Sequence, residues 1–283
     1  MKFIKYHALG NDYIVIDPAF LDTELAETQI RLICHRNYGI GSDGILLGPL
    51  ESATCDFGLR IFNPDGSEAE KSGNGLRIFS RYLWDQKRVA ESPFTIDTLG
   101  GKVRSSVSQG GRVVEVEMGR ITFRSPEIPV AGVDREVINE KIKVADREFI
   151  FCAASIGNPH CVILQDEISA ENTKKYGPHL ENHPMFPNRI NVQFVKVEDR
   201  HNIRIEIWER GAGYTLASGS SSSAAAAVCR RLGYCDSPIA VDMPGGRLDI
   251  SLTDDYDITM RGPVTKIGEG TLSPELFERT LNG

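Results

Sequence analysis

The sequence predicts an α+β protein of two homologous, pseudo-symmetric halves, each a curved, barrel-like set of strands around one central helix. Three observations carry this. First, the chain repeats itself at a domain-sized period. Ser92-Pro93-Phe94-Thr95-Ile96-Asp97-Thr98-Leu99-Gly100-Gly101 aligns with Ser237-Pro238-Ile239-Ala240-Val241-Asp242-Met243-Pro244-Gly245-Gly246, sharing Ser-Pro, Asp and Gly-Gly at an offset of 145. Gly10-Asn11 and Gly157-Asn158 match at 147, and Ser72-Gly73 and Ser218-Gly219 at 146. Second, short alternating apolar runs recur in both parts. Third, helical patterns are few, and one follows each Ser-Gly pair. A chain of 283 residues has room for about two domains.

The first half offers strand runs at Tyr13–Ile16, Gly58–Phe62, Phe94–Asp97 and Val113–Met118. The second offers Cys161–Leu164, Asn191–Val195 and Ile203–Trp208. Helices are expected over Thr23–Cys34, Asn74–Trp84 and Ser221–Arg231. The middle one places Leu76, Phe79 and Leu83 on one face. The last contains Ala224-Ala225-Ala226-Ala227, strong helix formers whose small, apolar character predicts a helix buried on most sides. The expected division is 1–118 for the first half and 119–262 for the second. The tail 263–283 is expected to complete the first half, with Ser273-Pro274-Glu275-Leu276 as a capped helix start.

Composition narrows the function. The net charge of −7 excludes an overall basic nucleic-acid footprint. No apolar run approaches the 18 or more residues of a membrane span. Met1–His7 is broken by charge and reads as lacking a signal-peptide apolar core. Six cysteines without a CxxC pair predict reduced thiols in a cytoplasm, rather than a disulfide framework or a zinc site.

The duplicated Ser-Gly carries the chemistry. A helix start presents free N–H groups and a positive dipole end, which bind carboxylates. Two such starts on one carboxylate would acidify the adjacent carbon. Two proton-transfer groups on opposite faces would then remove and return a proton, as in a cofactor-independent racemase or epimerase. The plain alternative is two serine-capped helices.

Further motifs decide between them. His7-Ala8-Leu9-Gly10-Asn11-Asp12-Tyr13, Arg36-Asn37-Tyr38-Gly39-Ile40-Gly41-Ser42-Asp43-Gly44, Arg60-Ile61-Phe62-Asn63-Pro64-Asp65-Gly66-Ser67-Glu68, Gly73-Asn74-Gly75-Leu76-Arg77, Gly157-Asn158-Pro159-His160, Asn188-Arg189-Ile190-Asn191-Val192 and Trp208-Glu209-Arg210-Gly211-Ala212-Gly213 occur in order. With them the chain resembles the diaminopimelate epimerase family over almost its whole length. The resemblance implies two pseudo-symmetric domains with the site between them, a small-molecule amino-acid substrate, no cofactor, no metal and a homodimer. It implies that Asn11, Asn63, Asn158, Asn191, Glu209 and Arg210 hold the non-reacting amino-acid end of the substrate. It also implies that the backbones of Gly73-Asn74 and Gly219-Ser220 bind the reacting carboxylate.

The chain departs from the family at the reacting centre. The family's two catalytic bases are cysteines; here those positions are Ser72 and Ser218. Tyr214 stands where the family typically has Glu, Gly44 where many members have Gln, and Ser220 where Thr is usual. None of Cys34, Cys55, Cys152, Cys161, Cys229 or Cys235 occupies a motif position, and Cys161 is expected in the core. A serine is a poor base unaided, so His160, Glu209, Asp65, Lys71 and Tyr214 are candidates to assist. The leading reading is an isomerase acting on diaminopimelate or a related amino acid. A catalytically inactive amino-acid-binding homologue, and an isomerase or tautomerase of another dicarboxylate, are the alternatives.

Overall fold

A computed structural model describes residues 1–21 and 23–278. The chain divides into two compact units. One is Met1–Val116 with the chain from Gly262 onward; the other is Glu117–Arg261. The last five residues of the tail, 279–283, lie outside the described residues.

The elements of the first part, in order, are β1 (Lys2–Ala8), β2 (Asn11–Ile16), α1 (Glu27–Cys34), β3 (Ile45–Leu50), β4 (Phe57–Phe62), β5 (Glu68–Ala69), α2 (Gly73–Asp85), β6 (Phe94–Thr98), β7 (Gly101–Ser108) and β8 (Val113–Arg120). Then follow β9 (Glu140–Val144), β10 (Arg147–Ser155), β11 (Pro159–Leu164), α3 (Ala170–Glu181), β12 (Asn191–Asp199), β13 (Asn202–Glu209), β14 (Gly213–Thr215), α4 (Gly219–Arg231), β15 (Ile239–Met243), β16 (Gly246–Leu252), β17 (Asp257–Pro263) and β18 (Thr265–Thr271). The second series repeats the first down to its pairing. β2 runs parallel to β3 as β11 does to β12. β3–β4 and β12–β13 are antiparallel. β4–β6 and β13–β15 are parallel. Antiparallel hairpins β6–β7 and β15–β16 follow.

Each unit packs around its own 13-residue helix. On α2 the residues Leu76, Ile78, Phe79 and Leu83 are fully buried. On α4 all four alanines 224–227 are fully buried, because a methyl surface lets strand backbones approach the helix from several sides. The first unit's second core layer joins Ile14, Ile16, Ile30, Ile33, Ile45 and Leu47 to Leu272, with Leu276 and Phe277 packed against it. The tail is therefore tied down twice, by this layer and by antiparallel pairing of β18 with β1.

Two sequence expectations change. The helix expected over Thr23–Cys34 begins only at Glu27. Ala26 has no side chain that can cap, and its N–H is instead taken by the Gln29 side chain at 2.9 Å. Ser273 starts a single 3-10 turn, Pro274–Phe277, and makes no side-chain cap bond. The sequence reading also passed over α3. Its Gly177-Pro178 reads as a breaker, yet Pro178 sits inside the helix and Gly177 is where Trp208 packs. The repeat offset, applied to α1, would have found it.

That contact gives a stability prediction. A Cβ on residue 177 would lie 2.5 Å from Trp208 Cγ. Gly to Ala inside a helix ordinarily stabilises by up to ~1 kcal/mol. Here Gly177→Ala is expected to destabilise by about 1–3 kcal/mol through overpacking. A thermal midpoint at or above the wild type's would refute this.

Candidate active site

Helices α2 and α4 begin in the same way. Ser72 and Ser218 are their N-caps, with extended dihedrals of −137°, 117° and −148°, 125°. Ser72 Oγ accepts the Gly75 N–H at 3.0 Å; Ser218 Oγ accepts the Ser221 N–H at 3.4 Å. The serine carbonyls take the N–H groups of Leu76 and Ser222. What remains at each start is a pair of N–H groups, Gly73 and Asn74 in one unit, Gly219 and Ser220 in the other. Such groups form an anion site. The buried serines 221–223 are each satisfied: Ser221 Oγ accepts from Gln193 Nε2, while Ser222 and Ser223 donate back to the carbonyls of Ser218 and Gly219.

An asparagine stands beside the second residue of each helix. In the first unit Asn74 Nδ2 donates to Asn11 Oδ1 at 3.0 Å. In the second, Asn158 Nδ2 donates to Ser220 Oγ at 3.2 Å. Asn11 is fixed from behind, since its Nδ2 donates to Asp43 Oδ2 at 2.8 Å. Asp43 and Asp12 share Arg36, and Lys5 also reaches Asp12. Burial alone would raise Asp12, but hydrogen bonds from Arg36 and Lys5 hold its carboxyl below the usual range.

Asn74 has a second anchor. Arg77, fully buried, donates from Nη2 to Asn74 Oδ1 at 2.6 Å. Its Nε and Nη1 are buried without a hydrogen-bond partner, and burial pulls the guanidinium down to about 9. A buried positive group thus sits one turn inside α2. Beside Ser72, burial likewise holds Lys71 below its ordinary value.

In the second unit His160 is fully buried. Its Nε2 lies 3.0 Å from Asn158 Oδ1, and since that oxygen only accepts, Nε2 carries the proton. Burial lowers His160 to about 3, so it is a neutral donor that orients Asn158 rather than a base. Asn191 bridges the start of β11 and the residue after β13: Nδ2 donates to the Pro159 carbonyl at 2.8 Å, and Oδ1 accepts the Arg210 N–H at 3.0 Å. Arg210 itself is held by the Asn188 carbonyl at 3.0 Å. Glu209 closes β13 opposite Gly213. In the first unit, Asn63 Nδ2 donates to Ser67 Oγ at 3.0 Å.

The remaining candidates point elsewhere. The Tyr214 hydroxyl donates to Glu206 at 2.6 Å, which with burial pushes it up to about 12, and Lys174 lies over its ring. Asp65 is exposed and spends its carboxylate on Ser67. Cys161 is fully buried in the core, and burial raises its thiol. Sequence reasoning missed Arg77, Asp43 and Tyr13. The Tyr13 hydroxyl lies 3.2 Å from Ser72 Oγ.

The duplicated α+β fold, with a serine-capped helix start in each half, is a known fold class. It is that of a crystallised probable proline racemase from Agrobacterium radiobacter, matched at a TM-score of 0.74 over 98% of this chain and 94% of that one, at 16% identity. The sequence profile described as Diaminopimelate epimerase matches residues 3–124 and 152–267, one stretch in each half. Diaminopimelate epimerase 2 of Nostoc sp. is 63% identical over 98% of this chain and 97% of that protein. Diaminopimelate epimerase of Carboxydothermus hydrogenoformans is 39% identical over 95% of this chain and 98% of that protein. The chain belongs to the diaminopimelate epimerase family.

Buried neutral His160 makes stability depend on pH. Its folded value of about 3 lies below its ordinary 6.5, so the unfolded chain binds the extra proton between these values. The stabilisation is complete above ~6.5 and is lost as pH falls, with a slope of up to about 1.4 kcal/mol per pH unit. Denaturant unfolding at neutral and acid pH should show His160→Gln losing less stability on acidification than the wild type. Equal losses would rule out a buried neutral His160.

Proposed function

We propose that this protein is a diaminopimelate epimerase, interconverting LL- and meso-diaminopimelate in the supply of lysine and peptidoglycan precursors. The observation that carries the reading is the pair of equivalent helix starts, each with a serine cap and a flanking asparagine, in a chain of this family. The N–H groups of Gly73, Asn74, Gly219 and Ser220 take the reacting carboxylate and stabilise the charge that develops when the α-carbon loses its proton. Asn11, Asn63, Asn158, Asn191, Glu209 and Arg210 hold the distal end. Arg210 grips a carboxylate, Glu209 pairs with the ammonium, and the asparagines offer donors and acceptors. Ser72 and Ser218 serve as the two proton-transfer groups, one from each half. The same reading carries a cytoplasmic homodimer, as the family resemblance implies.

The test is α-proton exchange of diaminopimelate in deuterated water, followed by NMR. Exchange with stereoinversion supports the reading. Binding without exchange of any candidate amino acid supports a non-catalytic homologue. Binding confined to acids that lack an amino group supports an isomerase or tautomerase of another dicarboxylate. Replacing both caps, Ser72→Cys with Ser218→Cys, should raise the exchange rate greatly, while either single change should do little. A double variant that folds and binds but is no faster than the wild type would show that thiol loss is not what limits this site. Calorimetry should find that Arg210→Ala weakens diaminopimelate binding by roughly 2–5 kcal/mol, the cost of breaking a buried charge pair. An unchanged dissociation constant would remove Arg210 from the site.

A further inference from the structure

We propose that Tyr13 is a positioning and proton-relay residue for Ser72, an inference that rests on the amino-acid-epimerase reading above. Tyr13 lies on β2, 7% exposed, with its hydroxyl 3.2 Å from Ser72 Oγ. Either hydroxyl can be the donor. This separation is long for paired hydroxyls, and contacts of this kind tighten when a site closes on its substrate.

The approach is built into the strand pairing. Ile14 stands opposite Ile45, which puts Tyr13 beside Gly44. A Cβ on residue 44 would lie 2.6 Å from Tyr13 Cε1 and 2.4 Å from the Phe62 carbonyl oxygen. The bare backbone at Gly44 is therefore what lets the ring lie where its hydroxyl meets Ser72. In the second unit the corresponding strand partners are His160 and Asn191. There the ring nitrogen is spent on Asn158, the Asn191 side chain donates to the Pro159 carbonyl, and Ser218 Oγ keeps its cap bond to Ser221. The Tyr–Ser pair thus belongs to one half only.

The two-way hydrogen bond suits a group that must both take and give a proton. Ser72 Oγ accepts the Gly75 N–H in either arrangement. With Tyr13 donating, the Ser72 proton is free to point at a carbanion. With Ser72 donating to Tyr13, a serine lone pair is free to face a C–H bond. In the forward step the Cα–H bond breaks and its proton goes to Ser72 Oγ. With the Tyr13 phenol proton first lost to solvent, the serine's own proton passes to the phenolate oxygen. The C–H electron pair stays on the α-carbon, next to the bound carboxylate. In the return step Ser72 gives its proton to carbon, Tyr13 gives its proton to Ser72, and the negative charge comes to rest on the phenolate. An ordinary phenol titrates at about 10, far below an aliphatic alcohol, so the relay avoids a free serine alkoxide.

The experiment compares Tyr13→Phe with the wild type, and Tyr13→Phe/Ser72→Cys with Ser72→Cys. Diaminopimelate epimerisation and α-proton exchange are measured from neutral to alkaline pH, with thermal midpoints as a check on folding. With serine at 72, Tyr13→Phe is expected to lower kcat at least tenfold with KM within about twofold. It should also abolish a rise in rate toward the phenol's ionisation. With cysteine at 72 the thiol carries the charge itself, and the loss should shrink to less than threefold. An unchanged kcat in Tyr13→Phe, a retained alkaline rise, or equal losses in both backgrounds would overturn the relay while leaving the epimerase reading standing. A wild-type protein that exchanges no α-proton would overturn both.

Discussion

A helix that begins inside a protein cannot leave its first N–H groups to water. Each of the two units meets that constraint in the same way at the start of its central helix. The first-turn N–H groups of α2 and α4 need four partners each. The serine cap supplies two of them, through its side chain and its carbonyl. The two that remain are a fixed demand for an anion, created by burying the helix. Small residues at the start keep that demand accessible. Gly75 has only 3.2 Å to spare between its would-be Cβ and Ser72 Oγ, so a larger residue there would crowd the cap. The same burial explains why α4 consists so largely of serine and alanine. Bulk on that helix would push away the strands that wrap it, and the buried hydroxyls of Ser222 and Ser223 are satisfied within one helical turn.

Duplication makes the halves equivalent, and the places where equivalence fails are informative. Asn11 and Asn158 correspond, as do Ser72 and Ser218. The strand registers also equate Gly44 with Asn191 and Asn63 with Glu209. Arg77 corresponds to Ser223 by the helix offset. One unit therefore carries a buried positive group behind its helix start and a tyrosine against its serine. The other carries a neutral imidazole, a buried amide bridge and an acidic residue at the strand end. Two halves that began alike now offer different chemistry around similar backbones.

Most of the fold was legible because strand alternation and the repeat are properties of sequence order. The runs at Tyr13–Ile16, Gly58–Phe62, Phe94–Asp97, Cys161–Leu164, Asn191–Val195 and Ile203–Trp208 all lie within strands. The helix expected from Thr23 starts instead at Glu27, because the Gln29 side chain takes the Ala26 N–H and settles the boundary from within the helix. Helix α3 was missed because local punctuation at Gly177-Pro178 is outweighed by packing against Trp208. At the site, residue types could be read but pair orientations could not. That His160 faces Asn158, that Tyr214 is spent on Glu206, and that Tyr13 meets Ser72 depend on strand register. A one-residue slip would turn each side chain to the other face.

The cysteines bear on how hard the remaining chemistry is. Burial raises the thiols of Cys34, Cys152 and Cys161, and a hydrogen bond to Cys235 together with burial raises Cys229. These are inert core thiols, and none caps α2 or α4. On the proposed reading, proton transfer falls to oxygen acids, whose conjugate bases are costlier to form than a thiolate. A weaker pair of bases shifts the demand onto the other side of the equilibrium, the stability of the carbanion. On that reading the carbanion is stabilised by helix-start N–H groups and by the charge that lies behind them. In the first unit that charge is the guanidinium of Arg77, held through Asn74 at the start of α2 with Nε and Nη1 buried and without a hydrogen-bond partner.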